Sequence, residues 1–186
     1  AQSAARATET RTLVQQLLPG FAGAAVLDAD GLNAAAQLLA EGKPFPHPAG
    51  ELVVTPHPGE MARLTGLSAA ALAADREGIA LRYAKAWDAV VVLKGARTVV
   101  ASPDGRVCVN PTGNPGLARG GSGDVLAGML AALLAAGHLD LTEIHQRHVV
   151  FCRAEESTGP EFFPHGLLVQ GPDVVPELGV GSLGGC

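Results

Sequence analysis

The chain has 186 residues, 47% of them hydrophobic and 17% charged, enough to bury a real core and too apolar to stay disordered. Its formal net charge is −5 and it contains no run of Lys or Arg, which argues against a nucleic-acid surface, where clustered basic groups supply most of the affinity. The longest strongly apolar run, residues 125–136, is too short to cross a bilayer, no signal-peptide pattern opens the chain, and the three cysteines (Cys108, Cys152 and Cys186) show no CxxC spacing, which together point to a reducing, cytoplasmic compartment.

Residues 10–18 place Leu13, Val14, Leu17 and Leu18 at helical spacing, and Pro19-Gly20 ends that helix. Residues 24–27 form a short buried strand that runs into Asp28-Ala29-Asp30. A second helix follows over 31–41, with Asp30 as its N-cap and Gly42 just past its end. A Pro-rich loop, 43–50, leads to a strand over 51–55 and the turn Pro56-His57-Pro58-Gly59. Residues 60–64 begin another helix, and Ser68 caps a longer one that runs to Trp87. The β-branched run 89–93 predicts a strand buried on both faces, as in parallel sheets. Residues 98–101 and 106–110 flank Ser102-Pro103-Asp104-Gly105, a hairpin with turn residues where a turn needs them. A final clear helix carries Val125, Leu126, Met129, Leu130, Leu133 and Leu134 as one apolar stripe. After Asp140 the pattern weakens to a helix over 144–152 and a strand or turn over 167–169. Alternating strands and helices predict an α/β layered domain with a mainly parallel sheet. No internal repeat or linker divides residues 1–186, so one domain is expected, atypical from about residue 140.

Ahead of the last clear helix lie Gly113, Gly116, Gly120, Gly121 and Gly123, then a single acid, Asp124. A helix N-terminus offers unpaired N–H groups and a partial positive charge, and glycines let a backbone approach an anion closely. Gly120-Gly121-Ser122-Gly123 therefore reads as an anion cradle. It is not a Walker A loop, because no Lys-Ser/Thr follows the glycines. A carboxylate repels a phosphate, so Asp124 reads as a general base that deprotonates a hydroxyl beside the transferred phosphoryl group. The bland alternative is an acid that merely favours the first helical turn. Lys94, at the end of a buried strand, reads as a phosphate partner, with a snorkelling surface Lys as its alternative.

The run NPTGNPGLARGGSGD, residues 110–124, resembles the signature of the NAD(P)H-hydrate dehydratases, members of the ribokinase-like superfamily that repair hydrated nicotinamide cofactors. VLDADGLN (26–33), TPHPGE (55–60) and VLKGART (92–98) fit the same family in the same order. The resemblance spans roughly residues 10–137. It implies a ribokinase-like three-layer sandwich with a mainly parallel sheet. The family domain starts well before residue 1, so the resemblance also implies a chain lacking its N-terminal strands, truncated or processed.

The family uses ADP or ATP, commonly with Mg²⁺, to phosphorylate the hydroxyl of the hydrated ring, after which phosphate is eliminated and NADH or NADPH is restored. On that resemblance Asp124 is the catalytic base and also touches the substrate. Lys94, Gly95, Ala96, Arg97, Thr98, Asn114, Gly120, Gly121, Ser122 and Gly123 form the nucleotide site, and His57 contacts the hydrated dinucleotide. Glu60 supports a helix start rather than the chemistry. Asn110 and Asn114 shape the loop before the helix. Asp28, Asp30 and Asn33 resemble the pocket floor; Asp30 is explained equally by an ordinary N-cap, and Asp28 stays open. No metal ligands are assigned, since His47, His138, His145, His148 and His165 lack ligand spacing. The resemblance further implies a small-molecule substrate, no nucleic-acid or membrane partner, symmetric homo-oligomers, and an epimerase domain in the parent protein. A vitamin-precursor or sugar kinase of the same superfamily, and a nucleotide-binding relic without activity, are the competing readings.

Overall fold

The apolar β-branched segments become strands, and a computed structural model of the chain describes residues 2–110 and 120–137. The order is α1 (Gln2–Thr12), a π-wound turn (Leu13–Leu17) and a 3₁₀ turn (Leu18–Gly20), then β1 (Ala25–Leu27), α2 (Asp30–Ala40) and β2 (Leu52–Val54). Next come α3 (Pro58–Thr65), α4 (Ala69–Ala74), α5 (Arg76–Trp87), β3 (Val90–Leu93), β4 (Val99–Ala101), β5 (Val107–Val109) and α6 (Ser122–Ala135).

The described strands form one sheet in the order β1-β2-β3-β4-β5. β1, β2 and β3 pair in parallel, with Leu27 opposite Val54 and Val54 opposite Val91. β4 returns antiparallel to β3, with Leu93 opposite Val99, and β5 pairs antiparallel to β4. Parallel neighbours need crossovers, which α2 supplies between β1 and β2, and α3 to α5 between β2 and β3.

The period-2 alternation of a strand divides the core. Val91, Leu93, Val99 and Ala101 join Leu32, Leu38, Met61, Ala80 and Ala84 from α2, α3 and α5 on one face. Val90, Val92, Val53 and Val100 pack on the other face against Leu126 and Leu130 of α6. The described residues thus form three layers, helices α1–α5, sheet, then α6, which is the ribokinase-like arrangement expected. Phe45 stacks on Trp87 with ring centroids 4.5 Å apart, pinning the Pro-rich loop to α5.

Several local expectations need correction. The helix expected over 10–18 begins at Gln2 and gives way to π winding at Leu13. A π turn advances fewer degrees per residue than an α-helix, so the apolar residues leave one face: Val14 is buried while Leu13 and Leu17 are 54% and 62% exposed. Asp30 is not an N-cap: it is the first residue of α2, and the cap position is Ala29, which has no side-chain acceptor. The helix expected from Ser68 to Trp87 is two helices. Ser68 caps α4 through Ala71 N–H, and Asp75, non-helical at φ −145 and ψ 69, caps α5 through Gly78 N–H and restarts the helix. The stripe on α6 is narrower than expected, with Leu126 and Leu130 buried and Val125 51% exposed. Asn114 and the segments 144–152 and 167–169 lie outside the described residues.

Candidate functional site

β1, β2 and β3 run the same way, so the residues that leave their carboxyl ends meet along one edge of the sheet, where open α/β folds bind ligands. The chain leaves β1 at Asp28, β2 at Thr55-Pro56-His57, and β3 at Lys94. Lys94 N–H donates to Pro56 O at 2.8 Å and Thr55 N–H donates to Leu27 O at 3.2 Å, so the three exits are stitched together through the main chain.

Lys94 is the centre of the polar cluster. Its ammonium donates to Asp28 Oδ1 at 2.8 Å and lies 3.8 Å from Glu60 Oε2. The three side chains are 21%, 13% and 7% exposed, so the charges are largely withdrawn from water, and one ammonium is shared between two carboxylates. The Lys94 head therefore turns inward onto two carboxylates instead of snorkelling to solvent. Asp28, whose role the sequence left open, is its nearest partner. Strain marks the turn that follows: Ala29 has φ 46 and ψ −114, a conformation that L residues rarely adopt.

His57 is the N-cap of α3, and its Nδ1 accepts from Gly59 N–H at 2.9 Å and Glu60 N–H at 3.3 Å. Glu60 Oε2 accepts in return from His57 N–H at 2.8 Å, closing a capping box. With Nδ1 accepting, the neutral ring carries its proton on Nε2, 3.5 Å from Glu60 Oε1. The His57 side chain stays 48% exposed. Glu60 thus supports the helix start as expected and also ties His57 to Lys94.

α6 closes the cluster from the other side of the sheet. Its cap residue Gly121 has φ 92, a left-handed conformation that favours glycine. Gly121 has no side chain to cap α6, so the positive end of the helix dipole is presented at this edge. That first turn lies over the cluster: a Cβ built on Gly123 would come 3.6 Å from Asp28 Oδ2 and 3.7 Å from Lys94 Nζ. Asp124 is the next residue, exposed and in the first turn of α6. Lys94, Gly121, Ser122, Gly123, Asp124, Asp28, Glu60 and His57 are therefore gathered at one edge. Asn110 is fully buried at the same edge, its N–H donating to Thr98 O at 2.8 Å.

Gly95, Ala96 and Arg97 are exposed, and Thr98 is buried with its hydroxyl donating to Gly95 O at 3.0 Å, which closes the loop between β3 and β4. Asn33 Oδ1 accepts from Arg63 Nη1 at 2.6 Å. Among the described residues no group of three or more His, Cys, Asp or Glu side chains gathers as metal ligands. No described helix is long and apolar enough to cross a membrane. Sequence reasoning missed Arg76, whose Nη2 donates to Leu93 O at 3.1 Å and Lys94 O at 3.2 Å. One signal was legible: a cation in the first turn of a helix opposes the helix dipole and calls for another partner.

Residues 5–163 match the sequence profile of the family described as NAD(P)H-hydrate dehydratase. The bifunctional NAD(P)H-hydrate repair enzyme of Moorella thermoacetica is 55% identical over 128 residues, 69% of this chain and 24% of the enzyme. Among solved structures, the ADP/ATP-dependent NAD(P)H-hydrate dehydratase of Bacillus subtilis, co-crystallised with ATP and Mg²⁺, superposes with a TM-score of 0.61 at 36% identity, over 72% of this chain and 45% of that one. A ribokinase-like superfamily protein of Enterococcus faecalis shares the fold at a TM-score of 0.53 and 23% identity, over 80% of this chain and 58% of that one. The chain thus spans about a quarter of the Moorella enzyme and less than half of the Bacillus one.

Proposed function

The chain belongs to the NAD(P)H-hydrate dehydratase family, and on that premise we propose that it serves the nucleotide-dependent dehydration of hydrated NADH or NADPH. The observation that carries this reading is the seating of the α6 first turn, with Asp124, directly over the Lys94–Asp28 pair. Phosphoryl transfer asks a protein mainly for positioning and charge stabilisation, with one group to take the acceptor's proton.

The chain's own residues divide that work. The N-terminal turn of α6 would receive the nucleotide's phosphates, and Gly123 in that turn lies against the Lys94 ammonium. Asp124, at the open end of the same turn, takes the proton as the hydrate hydroxyl oxygen attacks the terminal phosphorus. One P–O bond forms and the P–O bond to the departing AMP or ADP breaks. Phosphate then leaves with the C–O electron pair while the neighbouring ring carbon gives up a proton, so no redox partner is needed. Positioned bases of this kind supply about 10²–10⁴-fold in rate. His57, half exposed and fixed by its capping box, offers its ring as a contact for the dinucleotide.

Mg²⁺ fits the residues present as an ion arriving with the nucleotide. It would be held largely by phosphate oxygens and water, with Asp28 and Glu60 as the carboxylates at hand. Bound there it would neutralise phosphate charge. The Bacillus structure with ATP and Mg²⁺ supports this, and the bifunctional name of the Moorella relative supports a second activity in the parent protein. The substrate, a damaged form of a diffusible cofactor, fits a cytoplasmic role.

The test is to incubate the full-length protein with ADP or ATP, Mg²⁺ and hydrated NADH, and to follow the absorbance of the restored reduced nicotinamide. Recovery that depends on nucleotide supports the proposal. Phosphate transfer to a hydroxymethyl acceptor without recovery makes the protein a kinase instead.

A further inference from the structure

Arg76 is the first residue of α5, where its charge gains nothing from the helix. Its guanidinium extends to the end of β3 and donates from Nη2 to both Leu93 O and Lys94 O. Gly95 makes the approach feasible: its φ is 143, and a Cβ there would come 3.1 Å from both Nη1 and Nη2, closer than ordinary contact allows. Among the described residues Nε is buried with no hydrogen-bond partner, and burial lowers the guanidinium pKa below its usual range. Arg76 therefore gives up hydration, and its described hydrogen bonds go to the main chain at the start of the Lys94–Gly95 turn.

The Lys94 peptide is held on both sides as a result. Its N–H donates to Pro56 O at the exit of β2, and its C=O accepts from Arg76. Its side chain reaches forward to Asp28 and Glu60 under Gly123. Behind it, Arg76 lines a cavity of about 310 Å³ together with Ala73, Asp75, Ala96, Arg97 and Val99. Residues 96 and 97, on the wall of that cavity, belong to the segment assigned to the nucleotide.

We propose that Arg76 is a positioning residue for nucleotide binding: its guanidinium clamps the Leu93 and Lys94 carbonyls and so fixes the 94–98 segment and the Lys94 ammonium. The proposal rests on the nucleotide-dependent reading above. It assigns Arg76 no contact with the reacting atoms.

The experiment compares Arg76→Ala and Arg76→Lys in the full-length protein, with Arg82→Ala, an exposed arginine on the same helix, as the control. ADP affinity is read by calorimetry, KM by the absorbance assay, and main-chain order by amide hydrogen exchange at residues 94–98. Arg76→Ala weakens ADP binding by about tenfold or more, the loss of hydrogen bonds from a charged donor. It raises amide exchange at 94–98 by a comparable factor and leaves KM for the hydrated dinucleotide within about twofold. Arg76→Lys, whose ammonium still reaches a carbonyl, restores part of both effects. If Arg76→Ala does not fold, Arg76→Lys carries the comparison with a smaller loss in the same direction. Wild-type ADP affinity and exchange in these variants would overturn the proposal, as would equal changes in both KM values. A wild-type protein that binds no ADP would overturn the functional reading and the nucleotide role with it, while raised exchange in Arg76→Ala would still establish the clamp.

Discussion

Replacing Lys94 by Met keeps the unbranched stem and its packing but removes the ammonium between Asp28 and Glu60. Exposed ion pairs contribute about 0–1 kcal/mol, and breaking a fully buried pair costs about 3–5 kcal/mol. Lys94, Asp28 and Glu60 are 21%, 13% and 7% exposed, with the shorter contact at 2.8 Å and the longer at 3.8 Å. That geometry places the loss between the two limits, at about 2–3 kcal/mol, most of it from two carboxylates left facing each other. For a domain of this size each kcal/mol lowers the thermal midpoint by about 2–4 °C, so the expected fall is about 4–12 °C. The assay is urea unfolding of the wild type, Lys94→Met, Asp28→Asn and the double variant. Asp28→Asn removes one of the stranded charges, so the double variant should be more stable than the sum of the single losses by about 1–2 kcal/mol. Additive losses, or a Lys94→Met variant as stable as the wild type, would refute the inward-turned Lys94.

Three further outcomes follow from the same geometry. Ala29→Gly relieves a backbone at φ 46 and should raise the urea midpoint, corresponding to about 1 kcal/mol; no gain would mean that the turn after β1 is unstrained. His57→Ala removes the acceptor for two first-turn amides of α3, which should cost about 1 kcal/mol of stability and raise KM for the hydrated dinucleotide while the nucleotide KM holds. Glu41 is held below the ordinary value of 4.5 by hydrogen bonds from Lys43 and then Arg11. A depressed carboxylate stabilises the fold above its unfolded pKa and loses that contribution as pH falls through the folded value. Glu41→Gln should therefore flatten the acid limb of stability below about pH 4.5, measured by thermal melts across that range, and an unchanged limb would count against the pairing.

The sheet was legible because β-branched runs such as Val90–Leu93 can be satisfied only by burial on two faces, and the three-layer core uses alternate residues of that run on opposite sides. The break between α4 and α5 was not, because the Ala-rich segment around Asp75 suits a helix throughout and only the Asp75 side chain, capping Gly78 N–H, restarts it. Asp30 looked like a cap from its position after a strand, yet the strained Ala29 moves the helix start one residue earlier. At the site, local context could name Lys94 and Asp124, and the family resemblance added His57. The sequence could not show that Asp28, Glu60 and Lys94 meet, since they lie on three separate chain segments brought together by parallel pairing. The first turn of α6 joins them through packing of Leu126 and Leu130 on the sheet, another long-range fact.

In the proposed reaction Asp124 is the base at an anion-binding helix end. The most direct measurement is the restoration of NADH absorbance from its hydrate by the full-length protein and its Asp124→Asn variant, alongside ADP affinity for both. Asp124→Asn should lose turnover by about 10²–10⁴-fold and retain ADP binding. Turnover at the wild-type rate in Asp124→Asn would contradict that role.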